Sequence, residues 1–181
     1  MMHKRILNLG CGNDSYGTDF VDLYPKRKGV KKVDFDNERL PYKNNTFDEV
    51  YFSFVFEHLK NPFHTLQEVY RVLKKSGKIR LYTDNAGFLG FFTKGTFWWK
   101  VHNGDYNALG GYGQKDQHFA LFTPSHVKSH LTEAGFHKIR VNLLLHPRHK
   151  FSIKTALVHK LLKKTRFDAM AYPNIYAEAI K

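Results

Sequence analysis

Apolar residues in the first third of the chain come in short continuous blocks separated by turn residues, and the blocks have strand length. Ile6-Leu7-Asn8-Leu9 stops at Gly10-Cys11-Gly12, where the lack of a Cβ lets a ligand lie against backbone. Thr18 to Leu23 forms a second block, closed by Tyr24-Pro25 because proline cannot continue a ladder. Lys32 to Asp36 is a third, and Phe47 to Phe56 is an apolar and aromatic run of the kind a central strand covered on both faces needs.

The period then changes to that of a helix. Asn61-Pro62 supplies an N-cap and a proline at the first helical position, and Phe63, Leu66, Val69, Tyr70 and Leu73 recur at helical spacing. Lys74 and Lys75 fall in the expected last turn, with Gly77 as its left-handed stop. Lys78 to Thr83 follows directly as a strand, so strand, helix and strand with tight joints predict a right-handed crossover and a parallel sheet. Thr123-Pro124 opens another helix carrying Val127, Leu131 and Ala134, with Gly135 as its stop. Phe136 to Leu145 reads as a strand. Ser152 caps a helix with Ile153, Ala156, Leu157, Leu161 and Leu162 on one side, and Asn174 to Ile180 closes the chain as a strand.

Residues 84 to 122 break this rhythm. Phe88, Phe91, Phe92, Phe97, Trp98, Trp99, Tyr106 and Tyr112 are interleaved there with glycines, which reads as an aromatic lid or insertion, or as a helical insertion packing rings on the core. Length changes the picture little: 181 residues fit one domain, 1 to 181. The single Cys11 excludes an intramolecular disulfide. Neither a membrane span nor a signal peptide is visible, so the expected location is cytoplasmic.

Charge adds more. The net charge is +13, and nine Lys or Arg lie between Lys138 and Arg166 with no Asp or Glu among them. Lys26, Arg27, Lys28, Lys31 and Lys32 form a second cluster. Such faces are either solvated surface or suited to anionic partners, including nucleic acid or, for the helix from Ser152, an anionic membrane surface. No His/Cys spacing suggests a metal, so none is expected.

In order, Leu7-Asn8-Leu9-Gly10-Cys11-Gly12, Asp36 to Tyr42, Thr46 to Val50, Phe56-Glu57-His58-Leu59, Glu68 to Lys74, Gly77-Lys78 and Phe122-Thr123-Pro124 running to Phe136 resemble a class I S-adenosylmethionine-dependent methyltransferase, of the small-domain group with a methyltransferase type 11 signature. The likeness covers residues 6 to 83, with a further match at 118 to 136. It implies an α/β, Rossmann-like fold: a mostly parallel seven-stranded sheet with an antiparallel last strand, and helices on both faces. It also implies S-adenosylmethionine as cofactor. Gly10 and Gly12 would approach its methionine part beside Asn8 and Cys11, and Asp22, next to Leu23, would accept hydrogen bonds from the ribose. Asp36 would meet the adenine between Phe35 and Asn37, and Phe54, Phe56 and His58 would line the cofactor and acceptor side. Two departures stand out. Only 12 residues separate Gly10 from Asp22, against about 20 in nucleotide-binding units, so the first helix is expected to be reduced or missing. Asp14 also stands where the family often has a third glycine.

Because the sulfonium already activates the methyl group, a catalytic motif is not required. Candidates near the acceptor are His118, Tyr112 and Asp84, with Tyr82, Asn85 and Asp116 as further lining residues. A small molecule under the aromatic segment is the favoured acceptor. RNA on the basic 138 to 166 face, or a non-catalytic binding protein that retains the fold, are the alternatives.

Overall fold

The computed structural model describes residues 4–103, 118–146 and 153–181. Seven strands form one sheet: β1 (Ile6–Leu9), β2 (Asp19–Asp22), β3 (Lys31–Lys32), β4 (Phe47–Ser53), β5 (Leu73–Asp84), β6 (His137–Leu144) and β7 (Asn174–Ile180). Their spatial order is β3-β2-β1-β4-β5-β7-β6. The first five run parallel, while β7 is antiparallel to both β5 and β6. Four helices accompany them among the described residues: α1 (Pro62–Val72), α2 (Phe97–His102), α3 (Pro124–Glu133) and α4 (Ile153–Leu162).

Register shows what each face of the sheet is for. Leu7 lies opposite Val50, Val50 opposite Ile79 and Ile79 opposite Ala179. This apolar row packs in one core with Leu66 and Val69 of α1 and Val127 and Leu131 of α3. The alternate positions are polar and aromatic: Asn8 opposite Tyr51, Tyr51 opposite Arg80, Arg80 opposite Glu178, and Tyr82 opposite Tyr176. The Phe47 run is therefore not apolar on both faces. Glu49 sits within it, 1% exposed, with Arg80 Nε donating at 2.7 Å, Tyr16 Oη at 2.9 Å and Lys4 Nζ beside it.

No helix is found between Gly10 and Thr46; the connection from β1 to β2 is a series of turns, as the short Gly10–Asp22 interval predicts. β3 is shorter than the expected Lys32–Asp36 strand. Asp34 Oδ1 takes the N–H of Asp36 at 3.1 Å and Glu38 takes the N–H of Asp34 at 2.9 Å, so local side-chain bonds replace the ladder. β4 ends at Ser53 because Phe54 turns to a φ of +57° and a 3-10 turn, Phe56–His58, follows. Asn61 caps α1 as expected, its Oδ1 accepting from the His64 N–H. The helix stops at Val72, not at Gly77. Leu73 already pairs with Phe47 across the sheet, which draws Lys74 and Lys75 into β5. The left-handed residue there is Ser76, at φ +64°. Gly77 is needed because a Cβ would stand 2.8 Å from the Lys74 carbonyl and 3.1 Å from that of Phe47.

In the aromatic segment, Phe88, Phe91 and Trp98 form a small core of their own with Leu121 against it, whereas Phe92 and Phe97 are exposed. Tyr106 and Tyr112 lie outside the described residues, as does the expected cap Ser152. Three apolar residues of α4 face outward, Ile153 at 91% exposed together with Leu157 and Leu161. Among the described residues, no helix is long and apolar enough to cross a membrane.

Glu49 should behave as a buried anchor. Burial opposes its ionisation, but hydrogen bonds from Lys4, Tyr16 and Arg80 hold its carboxyl below its ordinary 4.5. Its contribution is then complete above about pH 4.5 and is lost as pH falls through the lowered value. Removing one partner with Arg80→Ala should cost about 3–5 kcal/mol in urea unfolding at neutral pH. The variant should also lose part of the acid dependence of stability that the unaltered protein shows.

Candidate functional site

The chain leaves β1 through a turn that has no room for a side chain at Gly10. Gly10 adopts φ +68° and Gly12 φ +49°, and a Cβ on Gly10 would meet Val55 Cγ2 at 2.4 Å. The N–H groups of Gly10 and Cys11 both donate to the Val21 carbonyl, at 2.9 and 3.3 Å. Gly12 N–H donates to Asp22 Oδ2 at 2.8 Å, and Tyr24 N–H donates to Asp22 Oδ1 at 2.8 Å. The carboxylate at the end of β2 is thus held on both oxygens beside the glycine turn. A carboxylate oxygen accepts more than one bond, so Asp22 keeps acceptor capacity for a ligand hydroxyl.

Where a helix would ordinarily support this turn, single side chains do so. Asn8, 1% exposed, lies beneath the 10–18 loop, with Nδ2 donating to the Tyr16 carbonyl at 2.9 Å. Arg27 donates through Nη2 to the Asp14 carbonyl at 2.6 Å and lays its guanidinium over Phe20, 4.4 Å from the ring centre. In sequence Arg27 is only one member of a basic cluster; nothing in its neighbours marks it as the brace of the loop. Burial, and then the nearby Asp22, push the Cys11 thiol up, which keeps it protonated and inert.

The Asp36 turn is fixed from α1. Asp36 Oδ1 accepts from the Asn61 N–H at 2.7 Å, and Thr65 Oγ1 donates to the Phe35 carbonyl at 3.0 Å. Glu68 Oε2 accepts from the Leu40 N–H at 2.8 Å, while Arg71 donates to Glu68 and to the Leu40 and Tyr42 carbonyls. Asn37 is exposed at the tip of this turn and Leu23 is half-buried after β2. Two of the expected lining residues point elsewhere. Phe35 is 7% exposed and belongs to the main core. Phe56 is fully buried between Phe52 and Phe122, because its 3-10 turn rolls the ring under the sheet edge. Phe54 is half-buried and meets the ring of His146 edge-to-face at 5.2 Å.

A second group of polar residues lies past the carboxyl ends of β4 and β5, the same edge of the parallel sheet. Glu57 and His58 come from the 3-10 turn, Asp84 from the last position of β5, and His118 from the segment before α3. His118 Nδ1 stands 3.7 Å from Asp84 Oδ2, and the His58 and His118 rings meet at 4.6 Å. Burial, together with the adjacent Glu57, pushes the Asp84 carboxyl well above its ordinary range. No ligand spacing in the sequence points to a metal, yet one donor atom each from Glu57, His58 and His118 lies within 4.8 Å of the other two. Asn85, named as a lining residue, instead ties the 3-10 turn Asp168–Ala171 in place by donating to the Ala169 and Tyr172 carbonyls. Tyr82 stacks among Tyr51, Tyr176 and His146. Tyr112 and Asp116 lie outside the described residues.

Comparison with known proteins bears on the fold. A methyltransferase domain model matches residues 12–81. An uncharacterized protein of Methanocaldococcus jannaschii is 32% identical over 98 residues, covering 48% of this chain and 48% of the relative, so the chain matches about half the length of that protein. A Thermotoga maritima SAM-dependent methyltransferase superposes with a TM-score of 0.66 at 17% identity, over 100% of this chain and 84% of its own. Haemonchus contortus phosphoethanolamine N-methyltransferase 2 in complex with S-adenosyl-L-methionine gives 0.61 at 18% identity, over 98% and 48%. The fold is that of these methyltransferases.

Gly10→Ala tests the turn directly. It should lower stability by about 1–3 kcal/mol, since both the positive φ and the Val55 contact oppose a Cβ. Measured on a Val55→Ala background, the same Gly10→Ala change should cost less by the contact part alone in urea unfolding.

Proposed function

We propose that this chain, built on the class I methyltransferase fold, transfers a methyl group from S-adenosylmethionine to a small-molecule acceptor. The observation that carries the reading is the Gly10–Gly12 turn with Asp22 locked against it at the carboxyl edge of a parallel sheet. That is where open α/β sheets receive nucleotide-like ligands. Gly10 and Gly12 give the methionine part access to backbone, Asp22 beside Leu23 accepts from the ribose hydroxyls, and the Asp36–Asn37 turn meets the adenine. Asn8, Arg27 and Thr65 act one step back, holding those turns.

Bound S-adenosylmethionine supplies an electrophilic methyl on a sulfonium that leaves as a neutral thioether. The protein's part is alignment and exclusion of water. His58, Asp84 and His118 lie on the side from which the acceptor would approach, with His118 Nδ1 3.7 Å from Asp84 Oδ2. The chain acts as one domain, and His118 from the 84–122 insertion stands on the acceptor side. A small acceptor is favoured over RNA because the polar groups in front of the donor are enclosed: Glu57 and Asp84 are buried and His58 and His118 half-buried.

Calorimetry with S-adenosylmethionine should show saturable binding, weakened at least about tenfold, or ~1.4 kcal/mol, by Asp22→Ala. Absence of binding to the unaltered protein overturns the reading and leaves a non-catalytic binding protein.

A further inference from the structure

Glu57, His58, Asp84 and His118 come from three separate stretches of chain and are fastened together. The N–H groups of Phe119 and Ala120 donate to the Glu57 carbonyl at 2.8 and 3.2 Å, clamping the 118–120 segment onto the 3-10 turn. Thr83 Oγ1 donates to Glu57 Oε2 at 2.8 Å, and Asn174 Nδ2 donates to Asp84 Oδ1 at 3.1 Å, so each carboxylate is oriented by a neighbour. Glu57 is 1% exposed and Asp84 4%. One carboxylate and two imidazoles gathered in one buried place are a donor set for a divalent cation.

We propose that Glu57, His58 and His118 bind one divalent first-row transition metal ion, with Asp84 orienting His118, and that the ion holds an oxygen of the methyl acceptor. The donor set decides the class of ion. Two imidazoles and one carboxylate suit Fe²⁺ or Zn²⁺ and take the spectroscopically visible Mn²⁺ more weakly, whereas Mg²⁺ and Ca²⁺ favour oxygen alone. Bonds of about 2.0–2.2 Å place ligand atoms on one ion about 3–3.5 Å apart, so donors now within 4.8 Å reach that geometry by side-chain adjustment of about 1 Å. Three protein ligands leave a position open, the pattern of a site that takes a substrate. Asp84 Oδ2 stands 3.7 Å from His118 Nδ1, and a shift of under about 1 Å closes the carboxylate–histidine hydrogen bond that fixes ring orientation at metal sites. The acceptor-holding role rests on the methyltransferase reading above; the metal site itself does not.

The test uses the full chain, freed of metal with a chelator and dialysed, then titrated with Mn²⁺ while electron paramagnetic resonance reports the free ion. One equivalent should bind saturably. His118→Ala should weaken binding at least about tenfold, as should Asp84→Asn, which keeps the shape of the side chain. Glu57→Gln provides a third variant, and circular dichroism confirms that each is folded. No saturable Mn²⁺ binding to the unaltered protein, or equal binding by the folded variants, overturns the site. Calorimetry with S-adenosylmethionine on the same samples separates the two conclusions. Donor binding without Mn²⁺ binding removes only the metal, and Mn²⁺ binding without donor binding removes only the methyltransferase reading.

Discussion

At the exit of β1 the chain has to pass beneath Val55, and a single methylene there would lie 2.4 Å from that side chain. This lack of room governs the edge of the sheet on which the function rests. It obliges glycine at position 10 and leaves backbone uncovered at the turn. It also brings the Gly12 N–H onto the carboxylate of Asp22, so the ends of β1 and β2 are joined through a hydrogen bond instead of a helix. The same Val55 leads into the 3-10 turn that presents Glu57 and His58, so the glycine turn and the candidate acceptor side share one contact.

Support for this edge is unusual in being assembled from individual side chains. With no helix between Gly10 and Thr46, loops that would otherwise rest on helices are tied by Asn8, Arg27, Thr65, Glu68 and Arg71, each bonding backbone some distance away in sequence. Charge-assisted bonds to backbone suit the task because they satisfy carbonyls and N–H groups that a helix would have paired internally. The Glu68–Arg71 pair shows the electrostatic consequence: burial works against the Glu68 carboxylate, and Arg71, the Leu40 N–H and Arg39 together outweigh it, holding the group below its ordinary range.

The sheet is divided between two tasks. Its apolar face meets α1 and α3 and forms the main core. Its other face carries Asn8, Glu49, Tyr51, Arg80, Tyr82 and Tyr176, where hydrogen bonds and ring contacts take over from aliphatic packing. Buried charge on that face centres on Glu49, while buried charge at the strand ends centres on Glu57 and Asp84. In the first, cations of the chain surround the carboxylate. In the second, a hydroxyl from Thr83, an amide from Asn174 and two nearby histidines meet the carboxyl groups.

Strand-length apolar blocks, the Asn61-Pro62 and Thr123-Pro124 helix starts, and the short Gly10–Asp22 interval were enough to determine a mostly parallel sheet with helices α1 and α3 and no full helix after β1. These are local properties: a period of two or of 3.6, a cap, or a glycine acts through neighbours along the chain. Other features depended on partners far apart in sequence. Leu73 joined β5 because Phe47 was across from it, Phe35 and Phe56 turned into the core because their turns rolled them inward, and Arg27 became a brace because Asp14 and Phe20 lay within its reach. His118 met Glu57 and His58 only because the 118–120 backbone hydrogen-bonds the 3-10 turn after β4, a contact spanning 61 residues from Glu57 to His118 that no spacing rule contains. Periodicity is written into consecutive residues, whereas convergence of side chains at a strand edge is decided by the order in which the sheet assembles its strands.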